Sequence, residues 1–435
     1  MRIAADMTSL SDNFSGLERY AFCMVSEMIG LGRDRWYLVV KNDVPESIKQ
    51  LKKRYPDRIC LVHVSGGKLL VNQIKLPLVM SRIKADAYLF PAFPVPLLFG
   101  KALGCQRTCR RRSCRTCAEQ NYRVCVRKNS CVCGKPNCIA RGRKKIYALI
   151  ADTAVKDVSE TMKLRSRLLF GLGYRHSVRV CESVITISHF SEKRIRKHYK
   201  NVRNIIYAPC GVSASGDNCY STDRTAKTLP VGTAGSATNG GHEFFYDTSE
   251  NFWNEIKKKY GLPENYILVL STLEPRKNIS QVFNAYFDLV SKSTDIPKLV
   301  VAGRKGWMVD KELESVKENY SDCICLTGFI DENDLKVVYS HADIFVDASI
   351  YEGFGMPPVE ALSNGVNHVL VSDIPAHREV LGKDAVYFRL YDVNDLAMKM
   401  AQLCKDGTGR KAEPKCLSRY SWRKSAETVY VAIHV

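Results

Sequence analysis

YEGFGMPPVEAL, Tyr351–Leu362, places two carboxylates, Glu352 and Glu360, on either side of a glycine turn and the start of a helix. Gly353 and Gly355 carry no Cβ, so the backbone there can approach a ligand closely or take a positive φ. Pro357 and Pro358 suit a first helical turn, where an N–H lacks an intrahelical partner anyway. Free N–H groups at a helix start, with the positive end of the dipole, form a ready anion site. The stretch therefore offers amides for a phosphate and an acid at each end for hydroxyls. That chemistry suits a nucleotide-sugar.

Two further clusters share this rim. Glu274–Asn278 (EPRKN) follows the strand-like YILVLS at 266–271, and Gly303–Trp307 (GRKGW) follows KLVVA at 298–302. Arg276 can clamp phosphate oxygens with its planar fork, and Lys277 adds a point charge. Strands are also expected at 323–327, 344–348 and 368–372, with helices at 279–292, 331–341 and 358–365 between them. The first half alternates in the same way. Strands at 2–5, 36–40, 59–64, 85–90, 146–150 and 184–188 are separated by helical spacing at 17–31, 162–181 and 189–200. The fold class that follows is α/β, with two Rossmann-like doubly wound domains facing a cleft. An N-terminal domain over 1–212, a Ser/Thr/Gly-rich linker over 213–254 and a second domain over 255–417 are expected.

At 435 residues, two cores are the natural prior. The start, MRIAADMTSL, has no basic region followed by an apolar one, so no cleaved signal peptide is expected. Ala87–Gly100, the nearest approach to a membrane span, is short and holds three prolines; it reads as a buried or interfacial loop. Net charge is +20, yet thirteen Lys/Arg against the single Glu119 crowd the stretch from Cys105 to Lys145. The remainder suits an enzyme binding diphosphates or resting on an anionic surface, and does not demand nucleic acid.

Eight of the 17 cysteines fall in that same stretch, at 105, 109, 114, 117, 125, 131, 133 and 138. Cys114 and Cys117, with Cys133 and Cys138, have spacing that can hold zinc. Against a finger stand irregular spacing and almost no apolar residues for a core. Three readings of the Cys/Arg-rich insert at 101–145 stay open: a metal-binding insert, a disordered basic loop, or sequence foreign to this fold, such as a shifted frame.

EPRKN, GRKGW, GFI at 328–330, SIYEGFGMPPVEAL and SDIPAHREVLG together resemble the large retaining glycosyltransferase family 4, of the GT-B fold. Its E-x7-E pattern falls on Glu352 and Glu360. DMTSLSDNFSGLERY at 6–20 resembles the family's N-terminal glycine loop, here with Gly16 alone where a pair is usual. VITISHFSEKRI at 184–195 resembles its later strand–helix, and YSWRKSAETVY its closing helix, so 418–435 is expected to cross back to the first domain. The likeness covers about residues 1–100 and 146–435.

The resemblance implies that Glu360 grips the ribose hydroxyls and Glu352 the donor sugar. Arg276 and Lys277 neutralise the departing diphosphate, assisted by the amides around Gly353, Phe354, Gly355 and Met356. Gly16, Gly303 and Arg304 complete the donor-binding set. No Asp-x-Asp motif appears in metal-holding context, and no cofactor or divalent metal is expected. The family usually has a His-Asp pair after the strand at 146–150; here Ala151 and Asp152 stand there, leaving Asp152 as the catalytic candidate. The donor implied is GDP-mannose or a UDP-sugar, and the acceptor a polysaccharide or lipid-linked glycan. A cytoplasmic enzyme, peripheral on the inner face of the membrane through basic residues around Lys193–Arg203, is the expectation. Two rival readings are a zinc- or nucleic-acid-binding protein built on 105–145, and a degenerate transferase that binds donor without turnover.

Overall fold

The computed structural model describes residues 1–67, 71–99, 144–212, 250–304, 306–307, 314, 316, 318–406 and 414–435. The cysteine segment, with Cys114, Cys117, Cys133 and Cys138, lies outside the described residues, as does most of 213–254.

Seven strands form the first sheet: β1 Arg2–Asp6, β2 Arg35–Lys41, β3 Ile59–Val64, β4 Ala87–Phe90, β5 Lys145–Leu149, β6 Ser183–Thr186 and β7 Asn204–Tyr207. Six form the second: β8 Tyr266–Leu270, β9 Lys298–Ala302, β10 Ile324–Gly328, β11 Ile344–Asp347, β12 His368–Ser372 and β13 Val386–Phe388. The orders are β3-β2-β1-β4-β5-β6-β7 and β10-β9-β8-β11-β12-β13, and every pairing is parallel. Helices cover both faces, so central strands such as β4 (AYLF) and β11 (IFVD) are buried at every residue. Strand order reverses between β1 and β4 in one sheet and between β8 and β11 in the other. Ligands of such sheets lie at those points, outside the strands' carboxyl ends.

The opening four residues of Ala87–Gly100, read above both as part of a strand and as a loop, are β4. The helix expected over 162–181 is Leu164–Val180, with a separate short turn at Ala154–Asp157 ahead of it. The linker expected over 213–254 ends earlier than drawn, because Glu250–Tyr260 is a helix. Trp253 explains this: its ring stacks on His341 at 4.0 Å and is buried beside Tyr266. Apolar anchoring to the second sheet outweighs the polar composition before it.

The last helix, Trp422–His434, packs on Gly16–Leu31 of the first lobe. Trp422 meets Tyr20 edge-on at 5.8 Å, Tyr147 Oη donates to the Ala432 carbonyl at 2.9 Å, and Ser425 Oγ to that of Pro209 at 2.8 Å. Just before it, the Val212 amide donates to the Tyr420 carbonyl at 3.3 Å, joining the two places where the chain passes between lobes. No described helix is long and apolar enough to cross a membrane.

Candidate active site

Loops after β1, β5, β8, β9 and β11 converge on one cleft of about 470 Å³ between the two sheets. Gly16, Asp152, Arg276, Lys277, Gly303, Arg304, Glu352, Gly353, Phe354, Gly355, Met356 and Glu360 all line it. Thus every residue expected to be catalytic or donor-binding lies on this one surface.

The turn between β11 and the helix Met356–Ser363 is shaped by its glycines. Gly355 has φ +87°, which favours glycine. A Cβ on Gly353 would stand 2.6 Å from the Ala151 carbonyl oxygen, so only glycine lets this loop touch the first lobe. The helix begins two residues before the expected Pro358, because prolines fit its second and third positions as well as its first.

Glu352 is almost buried, and its Oε1 lies 2.6 Å from Lys277 Nζ and 2.9 Å from Arg276 Nη1. The other Arg276 nitrogens meet Glu274 Oε1, Nη2 at 2.8 Å and Nε at 3.1 Å, and Nη1 also donates to the Tyr351 carbonyl at 2.8 Å. Lys277 has a second, looser neighbour in Asp347 at 3.8 Å. Burial opposes ionisation of Glu352, but Arg276 and Lys277 outweigh it and hold the carboxyl well below the usual range. Burial likewise opposes charge on Arg276, and the Glu352, Glu274 and Asp152 carboxylates overcome it; for Lys277, Glu352 and Asp347 do the same. Both cations are therefore held charged and in place. Asp152 differs: burial pushes its carboxyl up, Arg276 opposing, with Glu352 and Glu274 adding to the rise. Its Oδ1 accepts from the Ala154 amide at 2.9 Å.

Ala151 is buried, its carbonyl accepting from Ser191 Oγ at 2.8 Å. Its methyl stands where the resemblance places an imidazole. Arg304 donates to the Asn13 carbonyl of the first lobe at 2.8 Å and lies over the Phe329 ring at 4.7 Å. Gly303, at the end of β9, donates its amide to the Gly328 carbonyl at 2.7 Å.

Glu360 is bound by groups that reading the sequence missed. Arg19, from the first turn of Gly16–Leu31, pairs with its Oε1 and with both oxygens of Glu332. Tyr339 Oη donates to Glu360 Oε2 at 3.3 Å. Arg19 stands in the quoted stretch SGLERY, and Glu332 two residues beyond GFI. Their only local signal was a charge at a helix start beside a glycine or after a strand. Tyr351 also crosses the lobes, its hydroxyl donating to Asp157 Oδ2 at 2.9 Å and lying 3.0 Å from Thr153 Oγ1.

Two doubly wound parallel sheets whose carboxyl ends face a common cleft, closed by a C-terminal helix returned to the first, define the GT-B glycosyltransferase fold. Solved structures agree at the level of fold. That of WaaG, a glycosyltransferase involved in lipopolysaccharide biosynthesis, gives a TM-score of 0.59 over 99% of both chains at 13% identity. That of Anabaena HepE in complex with UDP-glucose gives 0.60 over 100% of this chain and 98% of the other, at 14% identity. Residues 253–420 match the family model of the glycosyl transferases group 1.

Among relatives, the serotype-specific mannosyltransferase WbdA of Escherichia coli is 32% identical over 204 residues, which are 44% of this chain and 24% of that protein. The O-antigen chain mannosyltransferase RfbU of Salmonella typhimurium is 36% identical over 124 residues, 28% of this chain and 34% of its own. The chain thus spans about a quarter to a third of the length of these relatives.

Proposed function

We propose that the protein is a retaining glycosyltransferase that moves a hexose, with mannose favoured, from a nucleotide diphosphate to a polysaccharide or lipid-linked oligosaccharide acceptor. One observation carries this reading: two half-buried cations, Arg276 and Lys277, are held charged and fixed by Glu352 at the β8/β11 switch point, with Glu360 on the same cleft. The mannosyltransferase relatives support the sugar, and their O-antigen names support a glycan acceptor.

As the glycosidic bond to the diphosphate lengthens, negative charge grows on the leaving phosphate. Cations positioned beforehand stabilise that charge without reorganising, and such preorganised stabilisation usually supplies most of the rate gain. Lys277 has protons beyond the one given to Glu352, and the backbone amides at the start of Met356–Ser363 add donors. Glu352 fixes both cations and offers its carboxylate to sugar hydroxyls. The acceptor attacks from the face that the diphosphate leaves, and these side chains take the place of a metal.

A helix on the first lobe supports a membrane-borne acceptor. Leu164, Leu168 and Leu172 of Leu164–Val180 are more than half exposed in an i, i+4, i+8 stripe, and the helix also carries Arg165, Arg167, Arg175 and Arg179 with no acid. Leucines and arginines on one surface suit an anionic lipid interface. We place the contact here rather than at Lys193–Arg203, where Arg194 and Arg196 are engaged by Asp157 and Glu192.

The test is incubation of the purified chain with GDP-mannose, UDP-glucose and other UDP-sugars. Release of nucleotide and formation of an α-linked product are expected, lost in Arg276→Ala. Absence of turnover and of any thermal shift with every donor would overturn the reading. A shift without turnover, with activity restored by Ala151→His, would favour the degenerate form.

A further inference from the structure

We propose that Arg19 is an interlobe latch that competes with the donor's ribose for Glu360, so that nucleotide binding and lobe opening are one coupled equilibrium. This rests on Glu360 being the ribose acceptor of the proposed function. Arg19 belongs to the first lobe, while Glu332 and Glu360 stand on two helices of the second, 313 and 341 residues further along the chain. Its side chain is only 13% exposed, and its guanidinium reaches both acids within the cleft.

A planar fork serving two carboxylates loses little entropy for each bond it makes. Parting the lobes strips its cation from two acids at once, and the acids repel each other when it leaves. The empty protein is therefore biased toward the closed form. In that form Glu360 Oε1 is taken by Arg19 and Oε2 by Tyr339 Oη. A ribose 2′,3′-diol donates two O–H groups and needs those same oxygens. It competes with Arg19 for them, and a ligand that binds best to a minor state binds more weakly by the fraction of that state. Once the diol is seated on Glu360, Arg19 returns to Glu332 alone and draws the lobes together over the donor. Arg19 thus acts through Glu360, as a positioning residue.

The test uses the full chain as wild type, Arg19→Ala, Arg19→Lys and Glu332→Gln, each checked for folding by circular dichroism. Without nucleotide, small-angle X-ray scattering should give a larger radius of gyration for Arg19→Ala and Glu332→Gln than for wild type. Calorimetry with UDP and GDP should show the better-binding nucleotide tightened by about threefold or more in Arg19→Ala, the sense expected when a competing closed state is removed. Arg19→Lys should restore part of both effects. If Arg19→Ala does not fold, Glu332→Gln carries the same two readouts. An unchanged radius in both loosened variants overturns the latch. Weaker nucleotide binding in Arg19→Ala overturns the competition and makes Arg19 a ligand of the donor instead. Should neither nucleotide bind wild type or Arg19→Ala, the donor reading and the competition both fail, while scattering still decides the bridge.

Discussion

Asp157 shows how a single acid ties the site to its support. It is held by Arg194, His198, Thr153 and Tyr351, two of them within one turn of the cleft loops. Burial opposes its charge, but these donors, Arg194 foremost, hold the carboxyl well below the usual range. A depressed folded pKa contributes stability above the unfolded value, near 3.9, and loses it as pH falls further. Asp157→Asn should therefore cost about 2 kcal/mol at neutral pH. The gap to wild type, followed by urea denaturation, should hold from pH 8 to 5 and shrink below about 4. A gap constant down to pH 3 would show that charge is not its source. In catalysis, Arg276→Ala should lower kcat by roughly a hundredfold or more, the loss expected when one preorganised donor to a developing anion is removed. Steady-state kinetics with the accepted donor measures it. Arg276, Lys277 and Glu352 were legible because they follow strands whose order puts their loops on one rim. Arg19 was not, because its partners are set by how two lobes close, and helical spacing carries no information about that.

At the scale of elements, strong apolar runs decided what could be read. YILVL, KLVVA and IFVD are buried at nearly every residue and stood out as strands. The edge strands Asn204–Tyr207 and Val386–Phe388 are short and half-buried, and no pattern set them apart from loop. The helix Leu164–Val180 has an apolar stripe facing outward as well as inward, so periodicity alone gave its existence and not its role. Its exposed side yields a direct expectation. Leu168→Glu should reduce cosedimentation with vesicles containing anionic lipid severalfold, while leaving the melting temperature within a degree or two of wild type. Equal sedimentation of the two proteins would remove this helix from the interface. Gly353→Ala loads the turn between β11 and the helix Met356–Ser363. Its methyl would press on the Ala151 carbonyl, so donor turnover should fall in kinetic assays more than stability does.

The whole molecule was legible in outline, since two series of alternating elements imply two sheets and a cleft. What composition could not fix was where the linker ends, because one tryptophan, Trp253, outweighs the polar residues before it. Trp422 is a second such anchor, lying late in the chain yet packed on the first lobe. Trp422→Ala should cost about 3–5 kcal/mol. Limited proteolysis should then show the early lobe cut faster than the later one, and the reverse order would mean that the terminal helix serves its own half.

Because the chain leaves the first lobe and comes home to it, the second is suspended between two crossings rather than trailing from one. The bond from Val212 to Tyr420 clasps those crossings together, which leaves a single pivot. A body hung in that way can nod toward its neighbour but resists sliding or spinning past it. Whatever enters the crevice must then do so along the side opposite the pivot.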